Sequence, residues 1–206
     1  MANKFSIILD GGFVTKKLQQ KLLRYPRASD IQEVCRRIME SSQLESLNLL
    51  RIFYYDAPPL QKIVRNPIDG YILDLGCTKR SREATSLQET LDLSPNFAVR
   101  RGEILFQGWK LGGAAVKAIQ KAPRTPTAKD FIPDIKQKGV DLRIGLDIAW
   151  MALKRLVDTI VVVAGDVDLV PSFKLARKEG VRIILDHLGH PVSRDLKVHV
   201  DVILHQ

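Results

Sequence analysis

One apolar run that ends in two carboxylates constrains this chain more than any other feature. Residues 160–163, Ile-Val-Val-Val, are β-branched without interruption, which is the strongest buried-strand signal in the sequence. The run stops at Ala164-Gly165 and is followed by Asp166 and Asp168. Carboxylates at the carboxyl end of a buried strand lie where open α/β sheets place their binding and catalytic groups. The sequence therefore predicts a buried sheet with a candidate site at this edge.

The rest of the chain alternates between strand patterns and helix patterns. Further strands are predicted at 5–9, 49–55, 181–185 and 198–204, with a bent or hairpin strand at 98–109. Helices are predicted from Ser29 or Asp30, at 81–91, at 142–156 with Asp141 as N-cap, and from Pro171 to Gly180. This alternation is typical of an α/β domain in which helices cover both faces of a parallel sheet.

Composition narrows the classes of function. The chain of 206 residues has 32 Lys and Arg against 23 Asp and Glu, a net charge of +9 and a pI near 9.7. A basic surface attracts polyanions, so the charge favours nucleic acid as the partner. No apolar run reaches the ~18 residues of a membrane span, and Met1-Ala2 leads directly into a strand pattern, so neither a membrane segment nor a signal peptide is predicted. Cys35 and Cys77 match no metal or redox spacing, which predicts free thiols and a cytoplasmic location.

Acids also end two other predicted strands. Asp10 follows the strand at 5–9 and precedes Gly11-Gly12, which are expected to turn the backbone tightly. Asp56 ends the strand at 49–55 before a Pro-Pro break, where an acid in a turn is the simpler interpretation. Parallel strands place their carboxyl ends along one edge, so Asp10 is expected beside the acids after residue 163.

Two further acids lie on the helix predicted after residue 140. Asp141 and Asp147 are six residues apart, which is about 240° around a helix. Either the helix begins after Asp141, which then turns inward, or one of the two acids lies outside the site. Asp147 stands between Leu146 and Ile148, where a buried carboxylate needs a positive partner.

Several carboxylates in one cleft repel one another unless a cation neutralises them. Oxygen ligands without a matching Cys and His set favour Mg²⁺ or Mn²⁺. Such an ion can generate hydroxide and stabilise the leaving oxygen of an in-line displacement. An acidic metal cleft on a basic protein is therefore suited to hydrolysis of a phosphodiester.

Basic residues provide the candidates for substrate binding. Lys16 and Lys17 belong to an acid-free stretch that is either a flank of the cleft or a solvated helix face. Arg100 and Arg101 fall at the predicted bend. Trp109 is expected in a cation-rich loop, which either binds single-stranded nucleic acid by stacking and phosphate attraction or is simply flexible.

Three motifs carry these acids: F-S-I-I-L-D-G-G at 5–12, K-G-V-D-L-R-I-G-L-D at 138–147 and V-V-V-A-G-D-V-D-L-V-P at 161–171. Together they resemble the NYN family of PIN-like nuclease domains, and within it the bacterial LabA-like group. The resemblance implies a PIN-like three-layer α/β sandwich with a mostly parallel central sheet, a divalent metal held by acids, and RNA as the substrate. Residues 60–130 match no motif and are interpreted as a possible family-specific insertion within a single domain, 1–206.

The resemblance also assigns roles by position. It implies that Asp10, Asp141, Asp166 and Asp168 are catalytic, that Asp147 joins them as a metal ligand, and that Lys138 binds substrate. The chain departs from the family pattern at Gly12-Phe13, where the family often has Asn, and at Val167 and Leu169 in the last motif.

The leading hypothesis is therefore a metal-dependent ribonuclease that acts on RNA, with a homodimer as a possible assembly. Two alternatives stay open. One is a phosphohydrolase of the haloacid-dehalogenase kind with Asp10 as nucleophile, although its second acid is missing at Gly12. The other is an RNA-binding module that keeps the fold without cutting.

Overall fold

The computed structural model describes residues 3–204. Met1, Ala2, His205 and Gln206 lie outside the described residues, and so the prediction made from Met1-Ala2 falls there too. Six strands form the central sheet in the order β10-β9-β8-β1-β2-β5, and every neighbouring pair is parallel. This confirms the predicted parallel sheet. The strands are β1 (Lys4–Asp10), β2 (Asn48–Asp56), β5 (Phe97–Arg101), β8 (Thr159–Val163), β9 (Arg182–Asp186) and β10 (Val202–Ile203).

Helices cover both faces of this sheet, which makes three layers. One layer consists of α1 (Gly11–Leu22), α2 (Ala28–Met39) and α3 (Lys79–Asp92), and the other of α5 (Val140–Leu153), α6 (Val170–Lys178) and α7 (Arg194–Val198). Strand β8 is buried along its whole length because it faces both layers. Ile160 and Val162 pack in the core under α5 and α6, whereas Val161 and Val163 pack in the core under α1 and α2. A continuous β-branched run is what such a position requires.

Two antiparallel ribbons lie outside the central sheet. Strands β3 (Ile63–Arg65) and β4 (Ile72–Asp74) form one, and β6 (Glu103–Leu111) and β7 (Phe131–Lys138) form the other. Helix α4 (Gly113–Lys121) and a 3-10 turn (Ala128–Asp130) connect β6 to β7. Residues 60–130, interpreted as an insertion, thus contribute β5 and α3 to the three-layer body. The loop predicted around Trp109 is wrong, because this residue pairs within β6.

Two helix starts differ from the prediction. Helix α2 begins at Ala28, and Asp30 lies inside its first turn, where its carboxylate accepts a hydrogen bond from the Arg27 N–H at 2.6 Å. Helix α5 begins at Val140, one residue before the predicted cap Asp141, because Gly139 adopts the left-handed conformation with φ of 74° and caps the helix itself. Asp141 is therefore a helical residue.

The predicted turn and the predicted last strand are also corrected. Gly11 and Gly12 begin helix α1 and do not form a turn. Within residues 198–204, where a strand is predicted, only Val202–Ile203 is a strand, and Asp201 precedes it. The Asp201 carboxylate accepts from the Ile183 N–H at 2.8 Å and pairs with Arg177 at 2.8 Å, so it anchors this segment beside β9.

The strand order creates a crevice between β1 and β8. From β1 the chain builds β2 and β5 on one side, and it then returns to build β8, β9 and β10 on the other. The two directions diverge between β1 and β8, which is the topological switch point where open α/β sheets bind ligands. Asp10 ends β1 and Asp166 follows β8, so both flank this point.

Candidate active site

A cleft of about 540 Å³ opens at the switch point, beyond the carboxyl ends of β1 and β8. Both strand ends, the first turn of α5 and the loop after β9 contribute to it. Its lining includes Asp10, Lys16, Gln137, Asp141, Asp166 and His190. Three of the predicted acids, which are far apart in sequence, therefore share one cavity.

Asp10 lies deepest among these acids. It is the last residue of β1 and the N-cap of α1, and its Oδ1 accepts a hydrogen bond from the Phe13 N–H at 3.1 Å. Burial raises the pKa of Asp10 to about 6, and the negative charges of Asp141 and Asp56 add to this, although the Phe13 N–H opposes it. The carboxylate is thus held ionised at a cost, with negative neighbours and no paired cation among the described residues.

Close packing of α1 on β2 fixes the position of this cap. A Cβ at Gly11 would lie 2.6 Å from the Tyr55 carbonyl oxygen and 2.7 Å from the Tyr54 ring. Only glycine permits the helix to start so close to the neighbouring strand. The first glycine of the Asp-Gly-Gly motif therefore has a packing role, and it directs the Asp10 carboxylate into the crevice.

The other acids of the group converge from α5 and from the loop after β8. Burial raises the pKa of Asp141, and the charges of Asp166 and Asp168 raise it further. Asp166 accepts a hydrogen bond from the Asp168 N–H at 3.0 Å, which orders the loop, and Asp166 lines the cleft. Asp168 lies close enough to act on Asp141 electrostatically but does not line the cleft.

Asp147 is directed elsewhere. Because α5 includes both Asp141 and Asp147, the six-residue separation places them on different faces of the helix. The Asp147 carboxylate accepts a hydrogen bond from the Tyr55 hydroxyl at 2.7 Å and lies 3.4 Å from the Arg100 guanidinium. Of the two sequence-based alternatives, the geometry matches the one in which one of these two acids lies outside the site, and that acid is Asp147. Arg100 is the positive partner that this half-buried carboxylate requires.

Two of the predicted substrate-binding residues border the cleft. Lys16 lines it directly. The Lys17 Nζ lies 2.8 Å from Nδ1 of His190, whose ring is part of the lining. Lys138 is the exposed last residue of β7 and directly precedes the lining residue Gly139.

The remaining predicted substrate-binding residues lie outside the cleft lining. Arg100 pairs with Asp147 and stacks over the Phe53 ring at 5.4 Å. Arg101 pairs with Asp92 at the end of α3. Trp109 packs edge-on against Phe106, with 6.4 Å between the ring centroids. These side chains are engaged in local contacts of the protein surface.

His190 lines the cleft, whereas its sequence context, a loop rich in Gly and Pro, favours a surface residue over a metal ligand. The Lys17 ammonium donates to Nδ1, so Nδ1 is the acceptor and the ring proton resides on Nε2. Burial, followed by the charges of Lys17, Lys16 and His187, lowers the pKa of His190. Its position after β9 was a usable signal, because β9 ends at the same edge as β1 and β8.

Besides Asp141, the structure brings Asp56 near Asp10. It ends β2, the strand next to β1, and burial raises its pKa. Its Oδ1 accepts from the Ala57 N–H at 2.8 Å, and the Tyr54 hydroxyl donates to its Oδ2 at 3.3 Å. An acid in a turn explains the bond from Ala57, but it does not explain why this half-buried acid lies near Asp10.

The donor set suits a hard divalent cation. Asp10, Asp141 and Asp166 offer carboxylate oxygens to one cavity. The charge of Asp141 raises the pKa of Asp10, and the charge of Asp166 raises the pKa of Asp141, so the carboxylates repel one another and a bound cation would remove that repulsion. Within residues 3–204, no group of three or more His, Cys, Asp or Glu side chains is arranged so that it could hold a metal ion. Mg²⁺ commonly uses one or two carboxylates and completes its shell with water and substrate phosphate. The residues therefore fit such an ion, which substrate would help to hold.

The sequence profile of the NYN domain matches residues 108–201, a little under half of the chain. The matched stretch includes Asp141, Asp166 and Asp168. It begins at residue 108 and so does not include Asp10. NYN domains belong to the PIN-like nuclease superfamily and bind RNA. The narrower LabA-like assignment stays a prediction.

Solved structures support the fold. A protein of unknown function from Vibrio parahaemolyticus RIMD 2210633 aligns over 98% of this chain and 92% of its own, with 13% identity and a TM-score of 0.51. The nicotinamidase SaPncA from Staphylococcus aureus aligns over 97% and 90%, with 13% identity and a TM-score of 0.33, which is too low to support an argument. No curated protein matches the sequence. Among the described helices, none has the length and apolar character needed to cross a membrane.

Proposed function

We propose that this protein is a metal-dependent ribonuclease that hydrolyses phosphodiester bonds of single-stranded RNA, with Mg²⁺ or Mn²⁺ held by Asp10, Asp141 and Asp166. The observation that supports it is the convergence of these acids in one cleft at the switch point, where their charges oppose one another. Asp168 completes the group by charge and by ordering the Asp166 loop. Asp147 is excluded from the set because Tyr55 and Arg100 hold it.

When bound, the metal would lower the pKa of an attacking water and offset the charge of the phosphate. The chain's own residues would do the rest. Lys16 attracts the phosphate to the cleft mouth, and Lys17 keeps the His190 proton on Nε2, where it can form a hydrogen bond to a phosphate oxygen. Lys138 stands at the rim.

RNA is the proposed substrate because the protein carries a charge of +9 although its acids are gathered in the cleft. A cleft at the edge of a single sheet admits one backbone more readily than a duplex. The cytoplasmic location inferred from the cysteines stays a prediction.

The phosphohydrolase alternative is weaker. One oxygen of Asp10 is engaged by the Phe13 N–H as a helix cap, and Gly12 occupies the place where that chemistry needs a second acid. The non-cutting RNA-binding module differs from the proposal only in turnover, so it is an outcome of the same experiment.

The test is cleavage of labelled single-stranded RNA in Mn²⁺, in Mg²⁺ and in chelator, beside hydrolysis of a small phosphate ester. We expect metal-dependent RNA products that disappear in Asp10→Asn and in Asp166→Asn. Asp147→Asn is the matched control, since it removes an acid from the same helix as Asp141 but outside the cleft, and it should still cut. Ester hydrolysis lost in Asp10→Asn would indicate the phosphohydrolase, and RNA binding without products would indicate the non-cutting module.

We also propose a homodimer, built on the outer face of α5. Four large apolar side chains of this helix are more than half exposed at helical spacing: Leu142 at 66%, Leu146 at 59%, Trp150 at 57% and Leu153 at 56%. A contiguous apolar stripe on a basic protein suits a protein partner and not a polyanion. Both the inner and the outer face of this helix are therefore apolar.

The stripe is complementary to itself. In an antiparallel pair around a twofold axis, each large side chain meets either another apolar side chain or a small residue that leaves room for it. The facing pairs are Leu142 with Leu153, Leu146 with Ala149, and Trp150 with Gly145. Light scattering should therefore show a dimer for the wild type and a folded monomer for Trp150→Glu, while a monomeric wild type at high micromolar concentration would contradict the proposal.

A further inference from the structure

A second pocket, of about 280 Å³, continues from the catalytic cleft. The two cavities share Gly12 and Gln137, so a chain bound in the first passes directly to the second. The ribbon β6–β7 forms the outer wall and the start of α3 forms the opposite wall. The lining residues that matter here are Tyr25, Asp56, Arg80, Ile104, Ile135 and Gln137.

The walls combine flat apolar surface with a few directed polar groups. Ile104 and Ile135 face the pocket from the ribbon, and the Arg80 guanidinium stacks over the Tyr25 ring at 4.1 Å. The volume lies just below the ~300–1,000 Å³ of sites for drug-sized ligands, which suits a smaller planar group. A nucleobase is such a group, and it would present polar edges to the directed side chains.

Asp56 and Arg80 supply opposite hydrogen-bonding characters in this pocket. The Asp56 carboxylate accepts from Ala57, Tyr54 and, at 3.4 Å, the Gln137 side-chain amide. A hydrogen bond from Gln88 and the charge of Arg80 also act on it, and both oppose the rise of its pKa. The long Gln137 bond is the one that a ligand donor can replace. Arg80 donates one N–H to Gln19 at 2.6 Å, which leaves other donors of its fork.

We propose that this pocket binds the base of the nucleotide next to the scissile phosphate and prefers guanine. The proposal rests on the proposed ribonuclease function, which it deepens by naming the base. Guanine presents two adjacent N–H donors that a carboxylate accepts together, and it presents O6 and N7 as the acceptors that arginine recognises. Adenine, cytosine and uracil lack this combination, so Asp56 and Arg80 together select guanine.

Binding can be tested without cleavage. Calorimetric titration in chelator measures the affinity of the wild type for GMP, AMP, CMP and UMP. We expect GMP to bind at least about tenfold more tightly than the other three, in line with the discrimination of one bidentate pair. Equal affinities for all four, or no binding of any, would overturn the proposal.

Variants connect the preference to the pocket. Asp56→Asn should abolish the preference for GMP because an amide offers only one acceptor. Ala84→Phe, which fills the pocket from α3, should block binding of all four and covers the case in which Asp56→Asn does not fold. Lys174→Ala, which lies outside both cavities, serves as the control and should bind GMP normally. A preference for GMP that survives both pocket variants would place the base elsewhere and refute the assignment.

Cleavage mapping separates this proposal from the proposed function. If RNA is cut without regard to guanine and GMP does not bind, the nuclease stands and the base pocket fails. If GMP binds selectively and no RNA is cut, the pocket stands and the nuclease fails.

Discussion

Replacing Asp10 by Asn should make the protein more stable while it removes activity. The Asn side chain keeps an oxygen for the Phe13 N–H, and Asn and Asp cap helices about equally well, so the packing of α1 is preserved. What changes is the buried charge. Burial raises the pKa of Asp10 from 3.8 to about 6. Each pKa unit corresponds to about 1.4 kcal/mol, so ionisation of Asp10 costs the folded state about 3 kcal/mol at most.

The sign of the pH dependence follows from the raised pKa. The folded protein binds this proton more tightly than the unfolded chain does. Above about pH 6 the carboxylate is ionised in both states and the folded state carries the full cost, whereas below 3.8 it is neutral in both and the cost vanishes. The stability gained by Asp10→Asn should therefore be near zero at pH 3.5 and largest at pH 8.

Urea unfolding of wild type and variant in chelator at pH 3.5, 6 and 8 measures this gain. Asp130→Asn is a control of opposite sign, because Arg124 holds the pKa of Asp130 well below its usual range, so that variant should lose stability at pH 8 and lose less as the pH falls. Adding Mn²⁺ should stabilise the wild type and not Asp10→Asn. An Asn variant that is less stable than the wild type at pH 8, or one whose gain is independent of pH, would refute the reasoning.

Three further results are expected. Lys16→Ala should reduce the slope of log affinity for single-stranded RNA against log salt by about 0.7, while Lys174→Ala, at the opposite edge of the sheet, should leave it unchanged; equal slopes for both would place RNA elsewhere. Tyr55→Phe should cost about 1 kcal/mol in urea unfolding through its lost bond to Asp147, and RNA cleavage should persist, since its loss would return Asp147 to the site. Phe173→Ala should lower the free energy of unfolding by about 3–5 kcal/mol because this side chain of α6 is fully buried in the core. A loss below about 1 kcal/mol would contradict the described core.

The sequence predicted the parts of this protein that depend on local pattern. The β-branched run before Asp166 predicts β8, and the acid-ended strand at 5–9 predicts Asp10 at the same edge, because parallel connections leave little freedom in where strand ends lie. The start of α5 was predicted two residues too late, since a left-handed glycine cap at Gly139 competes with an acidic cap. Because α5 therefore includes Asp141, this acid and Asp147 lie on different faces of one helix.

The local sequence pattern could not predict which residues reach the site through the pairing of distant strands. Gln137 reaches both cavities only because β7 pairs with β6, and neither strand has the alternation that would reveal its partner. Asp56 ends a predicted strand, but its role depends on β2 lying beside β1. His190 lies in a loop rich in Gly and Pro, and it reaches the cleft only because β9 ends at the same edge of the sheet as β1 and β8.

The proposed ribonuclease requires that acids from β1, α5 and the loop after β8 form a single cation site. Anomalous diffraction from crystals grown with Mn²⁺ tests it most directly. We predict a manganese peak in the cleft between the carboxylates of Asp10, Asp141 and Asp166, and its loss in crystals of Asp10→Asn. Manganese bound at another position, or a cleft that stays free of metal at millimolar Mn²⁺ with an RNA oligonucleotide present, would contradict the claim.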